Sequence, residues 1–306
     1  MKCLVTGGAG FIGSHISRKL LEKGHDVTVY DNLSVGRKDN VPVGAKFVEG
    51  DILDRDKLGD VMQGIDIVFH EAAFVSIRNS FLKPRLEFET NVIGTINLLD
   101  AMVESGVSKI VFASSMAVYG ECNGGIACEG DIVQPISPYG LSKLRGEMLC
   151  KIYAERFGIS YNALRYFNVF GDGQQYSEYV GVLTAFINLA QSGKPITVYG
   201  NGLQERDFIF VEDVVGANIL SMNNLNNKVY NVGSGTKTSV ISIAETVSRE
   251  YGNSKIVHMP KPPGEIDTIC ANVSLARTEL GFAASCGVLQ YIPILCASYK
   301  CSGRRI

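Results

Sequence analysis

The chain has 306 residues, 46% hydrophobic and 20% charged, which is room for two domains, or one domain with a lobe, around a sizeable core. A formal net charge of −2 leaves no electrostatic footprint for nucleic acid or an anionic membrane surface, and no apolar run is long enough to cross a bilayer. The eight cysteines form no CxxC pair and the four histidines are scattered, so neither a structural metal nor a disulfide framework is expected.

Residues 2–6 read as a short apolar strand, and the turn after it carries Gly7, Gly10 and Gly13 ahead of a helical segment over 15–23. Glycines at this spacing let the backbone turn sharply, approach a pyrophosphate closely and pack helix on strand, while the helix N-terminus offers free N–H groups to the phosphates. A second strand over 26–30 ends in Asp31. That carboxylate stands about 20 residues past the glycines, where it can accept both hydroxyls of an adenosine ribose. The start of the chain therefore predicts a dinucleotide site. A strand and its glycine loop occupy the place of a signal peptide, so the expected compartment is the cytoplasm.

Strand-like runs at 46–49, 65–71, 109–114 and 160–165 alternate with amphipathic stretches at 54–62, 90–104 and 139–157. Nearly all-apolar strands such as Ile67-Val68-Phe69 belong to parallel sheets covered on both faces. The expected fold is α/β, a Rossmann-type doubly wound parallel sheet. After Gly171 polar, glycine-rich turns separate short segments, including a strand over 228–232 and a helix over 242–251, which indicates a smaller C-terminal α/β substrate lobe. The expected division puts 1–168 in the dinucleotide-binding domain, rejoined by 207–234, and 169–206 with 235–306 in the lobe.

Tyr139 and Lys143 lie four apart at the start of the helical segment over 139–157, on one face. A lysine and a cationic nicotinamide nearby would favour the phenolate, giving a base for an alcohol proton as hydride leaves its carbon. The spacing alone decides nothing, since Tyr251 and Lys255 repeat it at a likely helix end. Position separates the two copies. Tyr139 follows the strand that ends in Ser114-Ser115, and ligands of open parallel sheets lie beyond the carboxyl ends of strands, so both hydroxyls are expected to face a substrate.

With these residues in place the chain resembles the extended short-chain dehydrogenase/reductases, and within them the nucleotide-sugar epimerases of the UDP-glucose 4-epimerase type. The motifs that carry the resemblance are Gly7–Gly13, Asp31-Asn32-Leu33, Gly50-Asp51-Ile52, Val68–Ala73, Asn91–Thr95, Ser114-Ser115 with Tyr119, Tyr139 with Lys143, Arg165–Gly171 and Arg206–Val211. The resemblance implies NAD as cofactor, held by Gly7, Gly10, Phe11, Ile12, Gly13, Asp31, Asn32, Asp51, Ile52, Ala72, Ala73, Asn91, Ser114, Tyr139 and Lys143. It implies Ser115, Tyr139 and Lys143 as the catalytic set. Asn168 and Arg206 match positions on the sugar-nucleotide diphosphate, and Val182, Leu183, Thr197 and Tyr199 match positions around the nucleoside. An arginine suits a diphosphate because its fork meets the oxygens bidentately.

A dehydratase of this family would carry acidic residues directly after the catalytic Ser/Thr, where this chain has Met116 and Ala117. Neither can donate or accept the needed proton. The implied reaction is a 4-epimerisation of UDP-glucose and UDP-galactose, or of the N-acetylhexosamine pair, by transient oxidation to a 4-keto sugar. A reductase or decarboxylase of the same family, or a non-catalytic dinucleotide sensor, are the alternatives. Asp31 favours NAD over NADP. Relatives carry a second phosphate-binding arginine where this chain has Pro262, with Lys261 as a substitute, and Ile269 occupies the position beside the sugar 2-substituent. Pro293 is expected to interrupt the closing helix. The resemblance further implies a homodimer through helices over 86–104 and 139–157.

Overall fold

Strands with apolar residues on both sides need cover on both faces, and the first half of the chain supplies it. In the computed structural model, residues 1–75, 77–174, 181–261 and 266–302 are described. The first half runs β1 (Lys2–Thr6), α1 (Phe11–Glu22), β2 (Asp26–Asp31), β3 (Lys46–Glu49), α2 (Arg55–Met62), β4 (Ile67–His70), α3 (Ile77–Leu82), α4 (Pro84–Phe88), α5 (Gly94–Glu104), β5 (Lys109–Ser115), β6 (Ile126–Ala127), α6 (Pro138–Phe157) and β7 (Ser160–Tyr166). The second half runs β8 (Asn168–Phe170), α7 (Val182–Gln191), β9 (Ile196–Tyr199), β10 (Glu205–Phe210), α8 (Val211–Asn223), β11 (Lys228–Val232), β12 (Lys237–Ser239), α9 (Val240–Glu250), β13 (Ile256–Met259), β14 (Thr268–Ala271), α10 (Ser274–Leu280) and α11 (Val288–Ser302).

Seven strands pair in the order β11-β7-β5-β4-β1-β2-β3, every pair parallel. Ile16 and Leu20 of α1 pack with Val214 and Val215 of α8 against one face. Leu58 of α2, Leu98 of α5 and Cys150 of α6 pack against the other. The sheet is the doubly wound α/β sheet expected from the sequence. Strand order reverses between β1 and β4, and the crevice above such a reversal is where these sheets hold ligands. The loops after β1 and β4 line it.

The chain leaves this sheet after β7 and returns through α8 and β11. β10 belongs to a second sheet, where it pairs with β8 and β14 in parallel and with β12 antiparallel. β14 in turn pairs with β6, a strand contributed from residues 126–127. β9 and β13 form a separate parallel pair. Asp207 ties the lobe to β11: its buried carboxylate accepts from Ser234 N and Oγ, each at 2.7 Å, from Gly235 N and from Ala271 N.

The closing helix differs from the sequence expectation. α11 runs through Pro293 without a break. A proline removes one helical hydrogen bond and costs about 3 kcal/mol in a helix interior. Here Val288, Ile292, Leu295, Cys296 and Tyr299 recur at helical spacing and are buried in one cluster with Leu183, Phe186 and Val247. Burial of that stripe outweighs the local penalty, since tertiary packing of an apolar face supplies most helix stability.

Candidate active site at the sheet's switch point

The glycine loop has the shape that a dinucleotide requires. Gly7 has φ +67, and a Cβ there would stand 2.7 Å from Ala72 N. A Cβ on Gly13 would be 2.3 Å from the Gly7 carbonyl, so only glycine lets α1 start this close to the strand. A Cβ on Gly10 would meet the Gly7 carbonyl at 3.1 Å and otherwise project into open space above the helix N-terminus. Gly10 is the N-cap, no side chain caps the helix, and Phe11 and Ile12 are its first residues. Their N–H groups thus remain for an anion.

Asp31 closes β2, buried, with Oδ2 accepting from Ala9 N at 3.0 Å and Oδ1 from Leu33 N at 2.8 Å. Each oxygen keeps a second lone pair for a ribose hydroxyl. Gly36 keeps that carboxylate open, because a Cβ there would lie 2.9 Å from both oxygens. Asn32 Nδ2 donates to Asp51 Oδ2 at 2.8 Å, which joins the two loops flanking the adenine side. Ile52 turns its side chain into the core against Gly94. An uncapped helix N-terminus, a space that a Cβ would fill and a carboxylate with spare lone pairs all fit NAD.

Ala72 and Ala73 follow β4 beside the glycine loop, with Ala72 N donating to Thr6 Oγ1 at 3.3 Å. Below them His70 is buried between two threonines. Thr95 Oγ1 donates to Asn91 O, so it accepts from His70 Nε2–H at 3.0 Å, leaving Nδ1 to accept from Thr6 Oγ1 at 2.7 Å. Burial drives its pKa down to about 3, and Lys143 adds to that. Asn91 sits in a π-helical turn, Glu89–Ile93, between α4 and α5. Its Oδ1 accepts from Phe74 N at 2.7 Å, and its Nδ2 faces Phe74 O, Glu87 Oε1 and Ser142 Oγ. Asn91 therefore spends its amide on holding the loop after β4 to α6.

Ser114 and Ser115 end β5 and point to opposite sides, as successive strand residues must. Ser115 accepts from Ala117 N at 3.2 Å and hydrogen-bonds Tyr139. Ser114 turns away from the cleft and donates to Glu147 Oε1 at 2.5 Å, which corrects the expectation that both hydroxyls face a substrate. Glu147 is held by Arg165 through two bonds of 2.8 and 2.7 Å.

Tyr139 lies one residue into α6, whose N-cap Ser137 accepts from Gly140 N at 3.0 Å. Lys143 Nζ, one turn on, donates to the Ala113 carbonyl at 2.9 Å. The sequence predicts a phenolate favoured by the lysine and a cationic nicotinamide together. In the protein alone the shift runs the other way: burial raises the Tyr139 pKa, Glu87 and Glu71 push it further, and only the Ser115 bond opposes them. Burial pulls Lys143 down, countered by the same two carboxyls.

Asn168 Nδ2 donates to Asp207 O at 2.7 Å and lies 3.7 Å from Met116 Sδ, the residue after Ser115. Arg206 stands on β10, with Nη1 donating to Glu205 O and Asp267 O. Val182 and Leu183 begin α7, and Leu183 is buried in the lobe core. Thr197 and Tyr199 alternate with buried neighbours on β9, Tyr199 being exposed. Ile269 is buried against Val118 and Phe167. Lys261 pairs with Asp267 beside a cavity of about 380 Å³ that Gly200, Gln204 and Thr268 help to line. Pro262 lies outside the described residues.

Sequence reasoning missed Glu71, Glu87, Gly36 and the Glu147–Arg165 pair. Glu71 stands inside a quoted motif, and a carboxyl between an apolar strand and two alanines was the available signal. Glu87 and Glu147 lie in helical stretches where no local pattern marks an acid as buried.

Residues 3–233 match the NAD dependent epimerase/dehydratase family. A protein of Methanocaldococcus jannaschii that carries the provisional name UDP-glucose 4-epimerase is 41% identical over 278 residues, covering 90% of this chain and 91% of that one. The crystal structure of Thermotoga maritima UDP-glucose 4-epimerase with UDP-glucose superposes with a TM-score of 0.96 at 33% identity, over 99% of this chain and all (100%) of the other. That of the Thermus thermophilus UDP-glucose 4-epimerase complex with NAD gives 0.92 at 35% identity, over 98% and 99%. The chain belongs to the NAD-dependent epimerase/dehydratase family.

Proposed function

We propose that this protein is an NAD-dependent UDP-sugar 4-epimerase that interconverts UDP-glucose and UDP-galactose, with the N-acetylhexosamine pair as a second substrate class. The observation that carries the reading is the meeting of Ser115, Tyr139 and Lys143 at the end of β5, followed by Met116 and Ala117 where a dehydratase needs acids. NAD, held by Gly7–Gly13, Asp31 and the loops after β2, β3 and β4, supplies an acceptor for one hydride and later its donor.

Tyr139 takes the proton of the sugar C4 hydroxyl, and Ser115 holds the phenol and the sugar oxygen in line. Lys143, fixed by the Ala113 carbonyl, supplies the positive charge that favours the phenolate once the site is filled. Tyr139 returns the proton after the keto sugar has presented its other face. Asn168 and Arg206 hold the diphosphate, and Val182, Leu183, Thr197 and Tyr199 the nucleoside, so that the sugar alone turns. The role of Arg206 is supported by its strand, β10, which pairs with β8 and so runs beside Asn168.

The proposed division assigns 1–168 with 207–234 to cofactor binding and the remainder to the substrate, with β6 and residues 207–210 of β10 lending their strands to the second sheet. A homodimer through 86–104 and 139–157 is supported by apolar side chains left in solvent on α6: Met148 at 44%, Ile152 at 53% and Phe157 at 53% exposure. Among the described residues no helix is long and apolar enough to cross a membrane. The cytoplasm, a reducing compartment, suits the free thiols of Cys3, Cys122, Cys128, Cys150, Cys270, Cys286 and Cys296.

The test is to supply purified protein with UDP-galactose, and separately with UDP-N-acetylgalactosamine, and to follow C4 epimers by proton NMR. Conversion is expected, falling by about 10²–10⁴ in Tyr139→Phe. No conversion of either sugar, with NAD added, would contradict the reading.

A further inference from the structure

The mechanism leaves two carboxyls unused, the buried Glu87 and the half-buried Glu71, and both act on the reacting groups. Glu87 is fully buried in α4; its Oε1 accepts from Asn91 Nδ2 at 2.5 Å and Ser142 Oγ at 2.8 Å, and its Oε2 has no partner among the described residues. Glu71 follows β4 at the switch point, its backbone against Gly7 and its N–H donating to Thr6 O at 3.1 Å. Its Oε1 accepts from Tyr166 Oη at 2.8 Å, and Tyr166 Oη accepts from Asn218 Nδ2 at 2.8 Å. Glu71 is thus locked in place from β7 and α8, while Lys143 reaches the end of β5 from α6. Both carboxyls lie within electrostatic reach of Lys143 and of Tyr139.

The arrangement has a cost that a purely structural pair would not need. Burial holds the Tyr139 phenol protonated and the two carboxyls add to that, which opposes the base it must become. What they can favour is positive charge. A cationic nicotinamide brought up to Lys143 would set two like charges in one poorly solvated pocket, and like charges there repel strongly. Glu87 is shielded behind Asn91 and Ser142, whereas Glu71 remains partly exposed beside the glycine loop. We infer that Glu71, braced by Tyr166, is a positioning residue whose charge poises the bound cofactor toward its oxidised form. The dihydro ring is neutral, so the carboxylate stabilises one oxidation state and is indifferent to the other. Hydride is then held only briefly and goes back to the keto sugar, as a reaction with no net redox change requires.

This inference rests on the NAD reading above. The test is to equilibrate protein with an equal mixture of NAD and NADH at pH 8.5, separate it from free dinucleotide, and measure the bound ratio from the near-ultraviolet absorbance of the reduced ring. The expected result is an excess of bound NAD in the native protein and a shift of about tenfold toward NADH in Glu71→Gln. Tyr166→Phe removes the hydrogen bond and keeps the charge, so its ratio should stay within about twofold of native. Glu71→Asn carries the same loss of charge if the glutamine variant does not fold. Binding of both forms with an unchanged ratio in the charge-removing variants would overturn the role of Glu71 alone. Failure of the native protein to hold either form would overturn the cofactor reading and the inference with it.

Discussion

The hydroxyl of Ser114 donates to Glu147 at 2.5 Å, joining the end of β5 to the middle of α6. Ser115, the next residue, turns to Tyr139 instead. Adjacent serines in one motif therefore serve the fold and the chemistry separately.

The two substitutions should part accordingly. Ser115→Ala is expected to lower kcat by about 10²-fold with melting temperature unchanged, since it removes a group that orients the base and the reacting oxygen. Ser114→Ala leaves a buried carboxylate short of a donor and should cost about 2 kcal/mol of stability, with kcat within a few-fold of native. Denaturant titration and steady-state rates of both variants check this; equal losses of kcat would refute the division.

His70 makes the fold sensitive to acid. The unfolded chain takes up a proton near the ordinary histidine value of 6.5, while native His70 stays neutral down to about 3. Its contribution is present above pH 6.5 and is lost as pH falls from 6.5 toward 3, by about 2 kcal/mol at pH 5. Stability of the native protein between pH 7 and 5 should therefore fall more steeply than that of His70→Gln by about this amount. Parallel curves from urea titrations would contradict it.

Pro293 is exposed within α11 and blocks one hydrogen bond to Leu289 O. Pro293→Ala should raise stability by about 1–3 kcal/mol with no change in activity. A calorimetric melting temperature at or below native would show that the proline is not strained there.

The sheet and the cofactor loop were legible because each rests on local pattern. Alternation of apolar strands and amphipathic helices, glycines at 7, 10 and 13, and Asp31 at the end of β2 need only spacing to be read. The directions of side chains were not. Ser114 and Ser115 have the same chemistry, and only the strand's two-residue period separates them. The raised pKa of Tyr139 in the protein alone was not legible, because it comes first from burial in the folded site and then from Glu71 and Glu87, which stand 68 and 52 residues away in sequence. Pro293 misled for the opposite reason: its local penalty is real, and the buried stripe from Val288 to Tyr299 overrides it.

The central claim is that one hydride leaves C4 and returns to the same carbon from the other side. The most direct measurement uses UDP-galactose deuterated at C4, with product UDP-glucose examined by mass spectrometry and NMR. Retention of the deuterium at C4 in the inverted product is the result expected of a site that keeps water from the intermediate. Solvent hydrogen at C4, or release of deuterated cofactor without epimer, would contradict it.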